Sequence, residues 1–337
     1  MQIYWRDGSV TDGEDGNRVV AGLGFFDGVH LGHQAILRRV RELAADMDSV
    51  PMVVTFDRHP FSVIKSKLAP PLLTNREERR HYMWDLGIEA IAELCFDAKL
   101  ATLEPEEFAS DILARQLLVV AVVAGDDFSF GYKGRGGIAL LRQKGHEWGI
   151  TVIETVDPVL AGKEKVSSTR IRGLIQAGIV EEAAVLLGRP YRLAGPVIEG
   201  EGRGRKLGFP TANLAIPSDR LIPQDGVYAV TVRQLIDDDK IGYTVKQGEY
   251  PGVLSISDKP TFAEATRAVE VHLIDQDKDY YGRKLEISFH RRLRPIQKFA
   301  NAEALKEQVA RDIANARKLP LEHCSSQGEK IYSLRAL

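Results

Sequence analysis

The sequence predicts an α/β protein in two parts: an N-terminal doubly wound parallel sheet, then an antiparallel barrel or sandwich closed by a terminal helix. Three observations carry that prediction. Over residues 1–187, short apolar runs alternate with amphipathic segments, the pattern of a parallel sheet covered by helices on both faces. From Tyr191 to His290, short alternating runs broken by Gly, Pro and Asp take over, as in antiparallel sheets. Between them, Leu187-Gly-Arg-Pro190 ends a helical run with residues that stop helices. A chain of 337 residues is also long for one core. The domains are therefore read as 1–187 and 188–317, with a patternless tail at 318–337.

In the first domain, strands are expected over 19–26, 52–56, 90–96, 117–124 and 151–156, and helices over 34–47, 76–86, 105–113 and 138–148. In the first helix, Ile36, Leu37, Val40 and Leu43 recur at helical spacing, with Arg38, Arg39, Arg41 and Glu42 on the other face. In the second domain, strands are expected over 227–232, 269–273 and 285–289. The closing helix over 302–317 carries Leu305, Val309 and Ile313 four residues apart.

Composition narrows the function classes. An apolar fraction of 44% and a charged fraction of 27% are those of an ordinary globular protein. A net charge of −2 argues against a broad nucleic-acid footprint. Cys95 and Cys324 lie far apart and suggest neither a disulfide framework nor a zinc cluster. The N-terminus has no signal-peptide architecture, and no apolar run approaches membrane-spanning length. A cytoplasmic enzyme acting on small molecules is expected, without nucleic acid or membrane partners, with homo-oligomerisation left open.

The stretch Gly22-Leu-Gly-Phe-Phe-Asp-Gly-Val-His-Leu-Gly-His33 lies between the first strand and the first helix. His30 and His33, three apart, fall on one side of the first turn. A helix N-terminus presents unpaired N–H groups and partial positive charge, and two imidazoles beside it can donate to the same phosphate. Gly28 and Gly32 permit close backbone approach. The pattern reads as a triphosphate site or, more simply, as two helix-start histidines without a ligand. A dinucleotide fingerprint opening at Gly22 is excluded, because Asp27 stands where a small residue is needed.

Polar loops follow other strands, where ligands of parallel sheets bind. They are Thr55-Phe-Asp-Arg-His-Pro60, with Asp57 and His59, and Gly125-Asp-Asp-Phe-Ser-Phe-Gly131, with Asp127. Lys165-Val-Ser-Ser-Thr-Arg-Ile-Arg172 reads as a helix N-cap or as hydroxyls and cations for β- and γ-phosphates.

In the second half, Gly200-Glu-Gly-Arg-Gly-Arg-Lys-Leu-Gly-Phe-Pro-Thr-Ala-Asn213 combines a basic glycine-rich loop with Thr211 and Asn213. No Gly-Lys-Ser/Thr closes it, so it is not a Walker loop. Gly202, Arg203, Lys206 and Gly208 form either a solvated loop or a mobile phosphate cover. Thr211 and Asn213 point the same way on an extended segment and can offer oxygens to a hard cation. In Ala268-Val-Glu-Val-His-Leu273, Glu270 and His272 share the face opposite Val269, Val271 and Leu273. Glu270 is the wet side of a sheet or, if that face lines a pocket, a general base.

Phe26-Asp-Gly-Val-His-Leu-Gly-His33 resembles the opening motif of the H-x-G-H nucleotidyltransferases, in the form found in bacterial bifunctional riboflavin kinase/FAD synthetases. The loops at 55–60, 125–131 and 166–172 are similar to segments of the same family. Gly208-Phe-Pro-Thr-Ala-Asn213 matches its riboflavin kinase domain without change, and Arg294-Pro-Ile-Gln-Lys-Phe299 fits its C-terminal segment. The resemblance covers about residues 15–317. Arg58 stands where the family has proline, Phe25 where it has a smaller or polar residue, and Ser257-Asp-Lys259 departs from its usual form before Pro260-Thr-Phe262.

The resemblance implies a Rossmann-like adenylyltransferase sheet followed by a kinase β-barrel, with ATP, riboflavin and FMN as substrates and FMN, FAD, ADP and pyrophosphate as products. It implies ATP contacts at Phe26, Gly28, His30, His33, Ser168, Thr169 and Arg172, with the two histidines catalytic, and flavin contacts at Asp57, His59 and Asp127. In the kinase it implies ATP contacts at Gly202, Arg203, Lys206, Gly208, Thr211 and Asn213, Mg²⁺ on Thr211 and Asn213, and Glu270 as the base. A kinase with a non-synthesising first half, a flavin-responsive regulator and a transferase for another acceptor are the alternatives.

Overall fold

In the computed structural model the described residues are 1–12, 16–200, 204, 207–238, 242–245, 248–258 and 267–318. Contacts divide the chain into two units that meet at Ser167 and Ser168.

The first unit is built on strands β1 (Gln2–Trp5), β2 (Val10–Thr11), β3 (Val19–Leu23), β4 (Val50–Phe56), β5 (Ala90–Leu94), β6 (Val119–Gly125) and β7 (Val152–Val156), in the sheet order β2-β1-β5-β4-β3-β6-β7. β5, β4, β3, β6 and β7 are parallel. The chain runs outward from β3 through β4 to β5, then returns to β6 on the other side of β3. That reversal puts the topological switch point between β3 and β6, where open α/β sheets bind ligands beyond their strand ends. The loops 24–30 and 126–131 leave those two strands. The edge strands, β1 antiparallel to β5 and β2 antiparallel to β1, were not legible in the sequence, because strands this short carry no periodicity.

Helix α1 (Leu31–Asp46) buries Leu37, Val40, Leu43 and Ala44 against the sheet. A Cβ on Gly22 would lie 3.0 Å from Val40, so glycine in β3 lets this helix sit close. α1 starts three residues before its expected beginning because His30 itself is the N-cap. β3 likewise ends at Leu23, short of the expected 26, because Phe26 turns to a positive φ. Helix α2 (Arg76–Asp85) opens with a capping box between Asn75 and Glu78. The helix expected over 105–113 is a single α turn followed by a π-helix, α3 (Phe108–Gln116), in which the Leu117 amide donates to Ile112. The wider turn brings Phe108, Ala109 and Leu113 into one core cluster. Helix α4 (Ile138–Lys144) ends before the expected 148, in a 3₁₀ turn.

The second unit begins with helices α5 (Ser168–Gln176) and α6 (Val180–Leu187), which the sequence reading places in the first domain. By contact they group with the strands that follow, and α6 lies against β8 and β14. Those strands are β8 (Tyr191–Ile198), β9 (Ala212–Leu214), β10 (Gly226–Asp238), β11 (Gly242–Val245), β12 (Tyr250–Asp258), β13 (Arg267–Leu273) and β14 (Lys284–Arg294). They form one antiparallel sheet in the order β11-β10-β12-β13-β9-β8-β14, and pairing of β10 with β14 closes it into a barrel that leaves β11 as a flap on β10. Closure removes the sheet edges. Tyr228, Val230, Leu254, Ile256, Val271, Leu285, Ile287 and Phe289 fill the interior. Glu270 and His272 therefore point outward, one residue out of phase with the core.

Helix α7 (Ala302–Ala316) packs Ile313 and Ala316 against Ala229 and Ile274. Its Asp312 is buried, bonded to Arg294 at 2.8 and 3.0 Å and to Gln308 at 2.9 Å. Asp312→Ala leaves a largely buried guanidinium unpaired and should cost about 3–5 kcal/mol in urea unfolding. Arg294→Met with Asp312→Leu should recover most of that loss.

Candidate active sites

The first site grows from the turn between β3 and α1. Phe26, Gly28 and Val29 have φ of 58°, 84° and 39°. For a β-branched residue such as Val29 this is strained backbone, costing about 1–3 kcal/mol per residue. The strain is held from outside the turn. The buried Asp27 carboxylate accepts from the amides of Leu73 (3.0 Å) and Thr74 (3.0 Å) and from the Thr74 hydroxyl (3.1 Å). The Gly28 amide donates to that hydroxyl oxygen at 3.0 Å. Thr55 donates to the Phe25 carbonyl at 3.2 Å.

The turn delivers His30 and His33 as a parallel stack with ring centroids 3.6 Å apart, and the edge of Phe26 meets His33 at 5.2 Å. His30 Nδ1 accepts from the His33 amide at 3.3 Å. Used as an acceptor, Nδ1 carries no proton, so the neutral ring of His30 holds its hydrogen on Nε2. A Cβ at position 32 would lie 3.1 Å from the His30 ring, which explains the glycine between the histidines. Of the residues expected to contact ATP here, His30 and His33 are brought together at the helix N-terminus, while Phe26 and Gly28 shape the turn.

The expected flavin residues lie in loops at the ends of β4 and β6. Asp57 accepts from the Phe96 amide at 2.9 Å and pairs with Arg58 at 2.8 Å. Partial burial pushes its carboxyl upward, but Arg58 and the Phe96 amide outweigh this and hold it below the ordinary aspartate value. His59 accepts from the Phe61 amide at 3.1 Å and meets Phe25 edge-on at 4.9 Å. Asp127 is exposed and bonded to Lys165 at 2.8 Å, which raises the lysine pKa. That bond ties the loop after β6 to the segment preceding Ser168. Ser168, Thr169 and Arg172 open α5 in the second unit.

Sequence reading missed α2's contribution. Arg79, 2% exposed, donates to the Phe56 carbonyl at 2.7 Å and lies over the Phe25 ring at 4.5 Å. Burial pushes its guanidinium down, against the pull of Glu93 and Asp27. The Asn-x-x-Glu box at 75–78 was a readable signal for this helix; the partners of Arg79, Phe56 and Phe25, lie far back in the chain and were not.

The second site lies outside the barrel wall. Asn213 on β9 stands directly across from Glu270 on β13, so the two side chains share a face. Thr211 precedes Asn213 by two residues. The His272 Nδ1–H donates to the Pro210 carbonyl at 2.8 Å, fixing the turn into Thr211. A cavity of about 920 Å³ is lined by Gly200, Gly208, Thr211, Asn213, Tyr280 and Tyr281, among others. Glu270 does not line it, although Leu273 on the same strand does. A Cβ on Gly200 would overlap the Asn213 side-chain amide, so glycine here leaves that side chain its present position. Gly202, Arg203 and Lys206 lie outside the described residues, as do Lys259 and 260–262. Thr211 and Asn213 offer neutral oxygens, a hard donor set that suits Mg²⁺ arriving with a triphosphate. Among the described residues no cluster of three His, Cys, Asp or Glu forms an alternative metal site.

A parallel sheet with stacked helix-start histidines, followed by a closed barrel with a Thr-x-Asn wall, defines a two-module nucleotide-dependent transferase. The FAD synthetase family model matches residues 12–170, and the riboflavin kinase model matches 187–320. The chain is 38% identical to the bifunctional riboflavin kinase/FMN adenylyltransferase of Listeria monocytogenes, over 94% of this chain and 96% of that protein. It is 35% identical to the protein so named from Escherichia coli K12, over 88% and 90%. It belongs to the bifunctional riboflavin kinase/FMN adenylyltransferase family. A solved structure described as a macrolide-efflux protein from Streptococcus pneumoniae matches with a TM-score of 0.81 and 30% identity, over 94% of this chain and 97% of that one. Among the described residues, no helix is long and apolar enough to cross a membrane.

Two outcomes follow from these contacts. Asp27→Ala leaves two buried amides and a hydroxyl without their acceptor and should cost about 3 kcal/mol in thermal or urea unfolding. Because the Asp57 carboxyl is depressed, its stabilising contribution is present above pH 3.8 and is lost as pH falls through the lower folded value. Carboxyl-carbon NMR should show Asp57 titrating below 3.8, and Arg58→Ala should move it upward.

Proposed function

We propose that the chain carries out both reactions of its family, phosphorylating riboflavin to FMN and adenylylating FMN to FAD, each with ATP. The observation that carries the first module is the capped, stacked pair His30 and His33 at the N-terminus of α1. FMN phosphate is already a nucleophile, so adenylyl transfer needs no general base. An FMN oxygen attacks the α-phosphorus of ATP, the α–β bridge bond breaks, and pyrophosphate leaves with the electron pair. The work left to the protein is charge stabilisation in transit. His30 meets that need through Nε2–H, its other nitrogen being engaged as the helix cap, and the N-terminal amides of α1 add a fixed positive field. The assignment of Ser168, Thr169 and Arg172 to the departing pyrophosphate rests on the motif they match.

In the second module, Glu270 accepts the proton of the ribityl 5′-hydroxyl as that oxygen attacks the γ-phosphorus and ADP leaves. Support comes from its place beside Asn213, a polar member of the cavity wall. When bound with ATP, Mg²⁺ on Thr211 and Asn213 would offset charge on the transferring phosphoryl group.

Incubation with riboflavin, ATP and Mg²⁺, followed by chromatographic separation of flavins, tests the assignment. The wild type should make FMN and then FAD. Glu270→Gln should lower FMN formation by about 10²–10⁴-fold while leaving conversion of supplied FMN to FAD intact. His30→Ala with His33→Ala should do the reverse. Loss of both activities in either variant would contradict two separate sites, and FMN without FAD in the wild type would mark the first module as non-synthesising.

A further inference from the structure

We propose that Arg79 is a positioning residue of the adenylyl-transfer site, acting through Phe25 and the Phe56 carbonyl; this rests on the adenylyltransferase reading above. A fully buried guanidinium is costly to desolvate, so its contacts should account for it. Glu93, the nearby buried carboxylate, is bonded instead to Arg76 at 2.5 Å and lies 3.6 Å from Arg80. Arg79 makes its direct contacts with two site-bearing segments. Nη2 donates to the Phe56 carbonyl at the end of β4, and the guanidinium plane covers the Phe25 ring in the turn after β3. Its Nε makes no hydrogen bond among the described residues, so stacking and one bond hold it.

A flat cation is the side chain that can satisfy a carbonyl oxygen and a ring face together. The chain entering that helix is anchored just before its N-cap, where Asp27 and Gly28 grip Thr74. The first turn of α2 and the residues leading into it thus clasp the turn at both ends of Phe25–Gly28, and through Phe25 they reach His59. The unusual Phe25 has a physical role here, as the face against which the guanidinium rests. Arg79 sets the spacing between the histidine turn and the Asp57–His59 loop, and its loss displaces reacting groups without removing any.

The test uses the full chain, with FMN-to-FAD and riboflavin-to-FMN turnover measured separately. Arg79→Lys keeps the charge and loses the plane. It should lower adenylyl-transfer kcat by about tenfold to a hundredfold, with much smaller changes in KM for ATP, and leave kinase turnover unchanged. Phe25→Leu should have the same signature, and the double variant should be little worse than either alone. If Arg79→Lys does not fold, Phe25→Leu carries the same kcat-against-KM readout. A lowered melting temperature with unchanged FAD formation per folded molecule, or strictly additive losses, would overturn the positioning role alone. A wild type that makes FMN and no FAD would overturn the underlying reading as well.

Discussion

The buried carboxylate of Asp27 is the constraint on which the first module depends. A turn with Phe26, Gly28 and Val29 in the left-handed region stores strain that its own residues cannot hold. The carboxylate holds it by taking two amides and a hydroxyl from Leu73 and Thr74, and Thr74 returns an acceptor to Gly28. Charge-assisted bonds inside a low-dielectric interior are strong enough to fix such a turn. The stacked imidazoles follow from it. Once the chain exits the turn at Val29, His30 has no choice but to cap α1, and Gly32 leaves room for its ring.

The second module reaches a polar site by a different route. A closed antiparallel barrel fixes cross-strand neighbours through register alone, so Asn213 must face Glu270. Its interior is filled by apolar side chains, which sends the chemistry to the outer wall, where Gly200 leaves room for the Asn213 side chain. One module thus orients its groups by loop strain and long-range clamps, the other by strand pairing.

Two of the departures from the family pattern have local partners. Arg58 folds back onto Asp57, and Phe25 supplies a ring face to Arg79. Both lie at the carboxyl ends of parallel strands, where a changed residue alters the ligand side of the sheet and leaves its core untouched. The sheet interior, by contrast, is apolar, with Val20, Ala21, Val53 and Val122 fully buried.

The sequence by itself determined the two-part architecture, the strands from β3 to β7, and the motifs holding His30, His33, Thr211, Asn213 and Glu270. Periodicity and short motifs are local, and local patterns survive in a linear string. Tertiary structure decided what was not local. The π-helical widening of α3, the closing pair of β10 and β14, and the grouping of α5 and α6 with the barrel all depend on contacts distant in the chain. The Asp27–Thr74 clamp and the placement of Arg79 over Phe25 are of the same kind, because hydrogen bonds and ring contacts are settled by distance in space, which residue order does not record.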